Sequence, residues 1–487
     1  MKSKKTFHLF LITIARLLAV FFFLTNSVQA SLNNNAVQEE KIVSVYVLIN
    51  RSQELKQYIN DLTKIPKPNF NRVIFAFVKP NLINYQSGNL AGTGILGYFN
   101  DHDGNGAQAF KVLKAAVNLS KEKNIQTFLS VGGRNYSCNL DMAQGTCGPP
   151  SSATNMIFYD WFPDPTDKEQ ASTAQISYSN LINLANDLGV NGIDIDYEEY
   201  WHANKYAINW GPSSGGTDIA KSIIAAGGPS YDNLMKYGIL SGSSYVMPKT
   251  IDKVNAILHA ILENPEAKYL KFSAAVPPVG ARPITGFVHG DNYPDIYTKG
   301  GLWWKGNLKG LWYNLIDKEV ALASRFDSLG VMTYDLCDHN PIQCAPYAKG
   351  PMDLEDQVNI YMKDYTNWLK SDLVTKPELT IDDNGKVTFL PAKFKINSKI
   401  QFGFEVNQPT FPNNINGQLQ LTNQLVDKIL TQQKNSGGVI IWQMYSKKNK
   451  AVPDATTVQY TIKQSCKTFL NNDIRYDCNA DFPSVAK

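Results

Sequence analysis

Asn191-Gly-Ile-Asp-Ile-Asp-Tyr-Glu198 alternates apolar and acidic side chains with a period of two. On an extended strand that spacing sets Asp194, Asp196 and Glu198 on one face and Ile193 and Ile195 on the other. The isoleucines suit a face covered by helices, which leaves the carboxylates looking into a barrel interior. Outward from this strand (Gly192 to Tyr197), short apolar runs rich in β-branched residues recur along the chain. Before it lie Ile42 to Ile49, Arg72 to Val78 and Ile125 to Val131; after it come Leu270 to Val276, Ser328 to Tyr334, Ile400 to Val406 and Gly438 to Met444. Helical patterns intervene, among them Phe110 to Lys123, Ile176 to Leu188 and Leu354 to Leu369. Eight strands alternating with helices predict an α/β fold, a (β/α)8 TIM barrel whose strands are covered on both faces. A doubly wound open sheet is the alternative, but no G-x-G-x-x-G follows the first strand. The connections after strands two to five are long, which puts extended loops, and function with them, on the C-terminal face.

The first thirty residues have a basic start (Lys2, Lys4, Lys5), an apolar run from Leu9 to Leu24 broken only by Thr13 and Arg16, and a small-residue exit at Val28-Gln29-Ala30. This pattern predicts a signal peptide over residues 1–30 and a single barrel domain over 31–487. An uncleaved membrane anchor is the competing reading; Arg16 within the run and the Val-x-Ala end favour cleavage. Cleavage removes four positive charges and no negative ones, so the formal +4 of the whole chain falls to 0. A neutral chain has no electrostatic claim on nucleic acid. No later segment is long and apolar, so the expectation is a soluble monomer, secreted or periplasmic, with no stable membrane anchor.

The six cysteines fall into three local pairs, Cys138 with Cys147, Cys337 with Cys344, and Cys466 with Cys478. Short disulfide-closed loops suit an oxidising compartment. A metal site fails on spacing, for there is no C-x-x-C and the six histidines are scattered. Asp101-His-Asp103-Gly-Asn105-Gly106 matches the first half of a calcium loop, yet its twelfth position is Val112, and a polar turn fits better. Asp382-Asp383-Asn384-Gly385 between apolar runs predicts an added hairpin over 377–391. The tail from Thr456 reads as a last helix with a disulfide-closed end. Trp201 and Trp210 in the fourth loop, and Trp303, Trp304 and Trp312 in the fifth, either stack on a ligand's rings or pack the loops onto the barrel rim.

Three carboxylates sharing a desolvated space repel one another, which a purely structural strand avoids. The crowding has a chemical use: it raises the pKa of at least one member, and a carboxyl still protonated near neutral pH is a general acid. Glu198 lies nearest the C-terminal end of its strand and is the acid candidate; Asp196 is placed to share or shuttle a proton with Asp194. The spacing, about 6 to 7 Å between successive same-face positions, also permits an ordinary two-carboxylate glycosidase.

Asn191 to Glu198 resembles the D-G-x-D-x-D-x-E signature of glycoside hydrolase family 18, the chitinases, departing only at Asn191. Ser130-Val131-Gly132-Gly133 is similar to the family's S-x-G-G after the third strand, Met332-Thr-Tyr-Asp335 to its sixth-strand motif, and Trp442 to its eighth-strand tryptophan. The resemblance implies substrate-assisted hydrolysis of chitin or N-acetylglucosamine oligosaccharides, without cofactor or metal. In that chemistry the sugar's own N-acetyl carbonyl attacks the anomeric carbon while Glu198 protonates the leaving oxygen. Asp196 then holds the acetamido N–H, Tyr334 donates to the acetamido oxygen, and Asp335 helps fix the same sugar. Ser130 and Tyr46 bond Asp194, Trp442 floors the sugar ring, and Phe77 and Met332 complete the substrate-facing set.

Arg134 and Asn340 stand where bacterial relatives often carry leaving-side tryptophans, and only about thirty residues separate Val406 from Gly438, too few for the family's large insertion. A shallower cleft is expected. The departures keep open an endo-β-N-acetylglucosaminidase acting on the core of N-linked glycans. A sugar-binding lectin on a dead barrel is a third class, disfavoured because Glu198, Asp196 and Tyr334 are all present.

Overall fold

The computed structural model describes residues 40–49, 52–96, 105–133, 136, 140–141, 146–147, 161–199, 248–278, 280–281, 310–334, 354–370, 376–381, 387–392, 396–406, 409–411, 419–447 and 454–485. Eight strands form the barrel: β1 (Ile42–Leu48), β2 (Arg72–Val78), β3 (Gln126–Gly132), β4 (Gly192–Asp196), β5 (Lys271–Val276), β6 (Phe326–Val331), β7 (Lys399–Glu405) and β8 (Gly438–Trp442). They close in the order β1-β8-β7-β6-β5-β4-β3-β2, every pairing parallel. The intervening helices are α1 (Ser52–Lys64), α2 (Gly106–Glu122), α3 (Ala171–Leu188), α4 (Pro248–Leu262), α5 (Leu311–Ala323), α6 (Leu354–Lys370), α7 (Asn423–Gln433) and α8 (Val458–Phe469). The expected (β/α)8 barrel is therefore the fold.

Alternation along the strands builds two cores. Val43, Val45, Val47, Ile193 and Ile195 face outward and pack with Leu55, Leu113, Leu181 and Ile257 of the helices. Burial of each such side chain contributes roughly 1.5–3 kcal/mol. Tyr46, Ile74, Phe128 and Ile440 belong to a separate cluster inside the barrel. Register carries the inward face around the wall: Ser130 pairs with Asp194, Gly132 with Asp196, and Asp194 with Ser273.

Two expectations shift. The sixth strand stops at Val331 rather than Tyr334, because the Thr333 N–H turns back onto the Val331 carbonyl (2.8 Å). The Thr333 hydroxyl then accepts from the Gly403 N–H and donates to the Gly403 carbonyl, each at 2.8 Å. Trp312 belongs to packing: it is buried in the first turn of α5, its ring edge-on to Phe326 at 5.4 Å. The other loop tryptophans lie outside the described residues.

The predicted hairpin pairs Lys376–Ile381 with Val387–Ala392. Asn105 caps α2, its side chain accepting from the Gln108 N–H at 2.9 Å, so the described part of the half calcium loop is a helix start. Beyond α8 a disulfide joins Cys466 to Cys478. Cys138, Cys337, Cys344 and residues 1–30 lie outside the described residues, and Cys147 pairs along the backbone with Leu140.

Candidate active site

Strand β4 carries the acidic column, and the surrounding barrel wall supplies the donors. Asp194 is buried and accepts three hydroxyl hydrogen bonds: from Tyr46 on β1 and Ser130 on β3 to Oδ2, both at 2.9 Å, and from Ser273 on β5 to Oδ1 at 2.6 Å. Burial raises the Asp194 pKa, while the three hydroxyls and the more distant Arg72 guanidinium pull it back down. Tyr46 and Ser130 thus share one oxygen of Asp194. The sequence reading does not name Ser273, whose signal is one hydroxyl two positions after Lys271 in a run that is apolar beyond it.

One pleat further, Asp196 has little of that support. It is buried, hydrogen-bonded to Glu198, and its Oδ1 has no partner among the described residues. Burial, then the charge of Glu198, then that of Asp194 hold its pKa well above the usual carboxylate range. Glu198 lies just beyond the end of β4, 8% exposed. The column therefore runs from a carboxylate held by three hydroxyl donors to a crowded pair placed to share a proton.

The two glycines of Ser130-Val-Gly-Gly133 fit this geometry. Gly132 has φ +102° and a Cβ there would lie 2.2 Å from the Asp196 carbonyl oxygen; Gly133 has φ +71° and a Cβ there would lie 2.5 Å from the Phe77 ring. The Gly133 N–H donates to the same Asp196 carbonyl at 2.8 Å. Bare backbone lets β3 close against the acidic strand and the aromatic floor together.

That floor is Trp442, partly exposed at the end of β8, stacked on Phe77 (centroids 5.5 Å apart, 27° between planes) and edge-on to Tyr46 (5.5 Å, 64°). The Ala76–Phe77 and Trp442–Gln443 peptide bonds are cis. Tyr334, half-buried, packs against the same cluster and against Gly403, where a Cβ would come within 2.8 Å of its ring. Met332 is buried at the end of β6, its N–H on the Val276 carbonyl at 2.9 Å. Asp335, Arg134 and Asn340 lie outside the described residues.

Residues absent from the sequence-based site stand close behind it. Tyr136 and Trp161, ring to ring at 5.0 Å, join the interior cluster. Glu199, next to Glu198, is buried against Lys253 and the Phe162 N–H. A doubled glutamate was the only local sign of it.

Barrel and site define a class, a (β/α)8 barrel protein with a column of buried carboxylates beside an aromatic floor at the C-terminal mouth. No protein-family model matches the chain, and no curated relative does. Among solved structures it is similar to a GH18 chitinase from Pseudoalteromonas aurantia, at 14% identity and TM-score 0.38 over 82% of this chain and 93% of that one. It is similar also to the GH18 chitinase ChiB from the chitin utilization locus of Flavobacterium johnsoniae, at 9% identity and TM-score 0.39 over 92% and 99% of the two chains. A chitinase from Bacteroides thetaiotaomicron aligns at 11% identity and TM-score 0.41 over 89% and 98%.

Proposed function

We propose that this chain is a secreted glycoside hydrolase, a family 18 chitinase that cleaves β-1,4 bonds between N-acetylglucosamine units by substrate-assisted, retaining catalysis. The observation that carries the proposal is the Asp196–Glu198 pair. A buried carboxylate oxygen with no partner among the described residues stands beside a second carboxyl, at the open end of a barrel and near a partly exposed tryptophan. A ligand that brings one N–H donor and one basic leaving oxygen satisfies both groups, and a β-linked N-acetylglucosamine brings both.

In the first step the acetamido carbonyl oxygen bonds to the anomeric carbon, the bond to the leaving oxygen breaks, and Glu198 gives that oxygen its proton. Asp196 accepts the acetamido N–H and offsets the positive charge of the oxazolinium. Asp194, whose three hydroxyl donors favour its ionised form, sustains the proton on the Asp196–Glu198 pair. Water then adds to the anomeric carbon as the bond from that carbon to the acetamido oxygen breaks, and the water's proton passes to Glu198. Tyr334 donates to the acetamido oxygen, Asp335 steadies the same sugar, and Trp442 with Phe77 floors its apolar face, Met332 lying at the edge.

The test is incubation of residues 31–487 with N-acetylglucosamine oligomers of four to six units, products followed by mass spectrometry, with Glu198→Gln as the blank. Shorter oligomers from the unsubstituted protein alone are the expected result. No cleavage by folded protein would exclude the chitinase, and release of glycans from an N-glycosylated protein in a parallel incubation would then assign the endo-β-N-acetylglucosaminidase reading.

A further inference from the structure

We propose that Glu199 and Lys253 form a buried clamp that positions Glu198; this rests on the reading of Glu198 as the acid. The last register pairs of β4 are Gly132 with Asp196 and Asp196 with Ala275, so the chain that carries Glu198 leaves the sheet without a ladder to hold it. Beyond the ladder the side chains keep alternating between the two faces. Asp196 and Glu198 bond each other on the inner face, while Tyr197 packs into the helix-side core with its ring 5.2 Å from Phe162.

Glu199 continues that outer face. Its Oε1 accepts the Phe162 N–H at 2.6 Å and its Oε2 accepts the Lys253 ammonium of α4 at 2.6 Å. Both side chains are almost fully buried, 6% and 2% exposed for Lys253 and Glu199. The Phe162 ring in turn fills the space that a Cβ on Gly132 would need. One carboxylate therefore ties the segment bearing Glu198 to helix α4 and to the residue that packs behind the S-x-G-G turn.

A buried ion pair is a poor device for stability alone, because desolvation of both ions offsets their attraction and an apolar pair of similar size does as well. What a charge-assisted, two-pronged anchor adds is direction. Reacting groups displaced by about 1 Å lose on the order of 100-fold in rate, and Glu199 fixes the chain one residue beyond Glu198.

Positioning and mere stability separate in a set of three variants: Lys253→Met, Glu199→Gln, and the double variant Glu199→Leu with Lys253→Met. For each, melting temperature, kcat and KM on N-acetylglucosamine oligomers, and calorimetric binding stoichiometry, which counts competent sites, are measured. The expected result is a kcat per competent site lowered about 10- to 100-fold in all three, KM within about two-fold. The double variant should recover the melting temperature that Lys253→Met loses while leaving kcat low. A double variant that recovers kcat together with the melting temperature would overturn the clamp and leave the acid reading intact. An unsubstituted protein that cleaves neither N-acetylglucosamine oligomers nor N-glycan cores would remove the acid reading, and the clamp with it.

Discussion

The two ends of the barrel interior hold buried charge in opposite ways. At the N-terminal end Arg72 reaches from β2 across to β6, donating to Ser328 Oγ and Asp327 at 2.5 Å each and to the Gln126 side chain at 2.8 Å, with its guanidinium 4.2 Å from the Phe128 ring centroid. Burial alone would raise the Asp327 pKa, yet Arg72, then Lys271 and Lys399, hold it below the usual range. At the C-terminal end Asp194, Asp196 and Glu198 crowd with like charge, and Asp194 and Asp196 are both raised. A matched set of charges is a plug for the barrel floor. A mismatched set lowers stability, and its presence points to chemistry.

The comparison breaks most directly at Glu198. Glu198→Gln keeps the shape and removes the proton, so kcat on N-acetylglucosamine oligomers should fall at least ~10³-fold, within the usual range for a lost general acid, with the circular dichroism spectrum unchanged. Residual activity above a tenth would take the acid role from Glu198. At the opposite end Arg72→Met should be the largest stability lesion, about 3–5 kcal/mol by denaturant titration, because it takes the main partner from Asp327 and the donor from two other acceptors, Ser328 Oγ and Gln126 Oε1. Adding Asp327→Asn should recover a good part of that loss. If Arg72→Met alone proves neutral, the floor is not a matched plug.

Asp196→Asn should move stability the other way. Asp196 has a folded pKa raised above its unfolded value, near 3.9, so the native state binds the extra proton and stability falls as pH rises through the interval between the two. The variant lacks that titration. Its melting temperature should match the unsubstituted protein below pH ~4 and exceed it progressively above, while activity is lost. A gain that is the same at every pH would mean that Asp196 is not the strained group.

What the sequence made legible follows from the physics of each element. The barrel was legible because parallel strands covered on both faces read as short apolar runs, and the acidic column because a period of two survives in any strand. Tyr46, Ser130 and Trp442 were legible through family resemblance, and Gly132 and Gly133 acquire a physical reason only when Asp196 and Phe77 are seen against them. Arg72 opens a run that reads as apolar, and nothing local says that it crosses the barrel to β6. The partner of Glu199 lies on α4, 54 positions away, with no periodic pattern linking the two. Strand β6 ends before its sequence pattern does, because Thr333 and Tyr334 are good strand formers while the turn back to Val331 is accompanied by a side-chain bond to Gly403.

The smallest expected effect is at Ser273, whose hydroxyl is the shortest of the three donors to Asp194 at 2.6 Å. Ser273→Ala leaves Tyr46 and Ser130 on Oδ2 and the Arg72 field in place, so the ionised form of Asp194 loses one donor of three, about 1 kcal/mol at a buried charged acceptor once the others compensate. The sign is fixed by the lost donor: Asp194 holds its proton to higher pH. If the pair above it works only over an anionic Asp194, the acidic limb of the kcat/KM profile should move to higher pH by up to about one unit, since one unit corresponds to 1.36 kcal/mol. The alkaline limb, set by the proton on Asp196 and Glu198, should barely move. A profile unchanged at both limbs would mean that Asp194 contributes only to packing, and the C-terminal end would then reduce to the two carboxylates nearest the mouth.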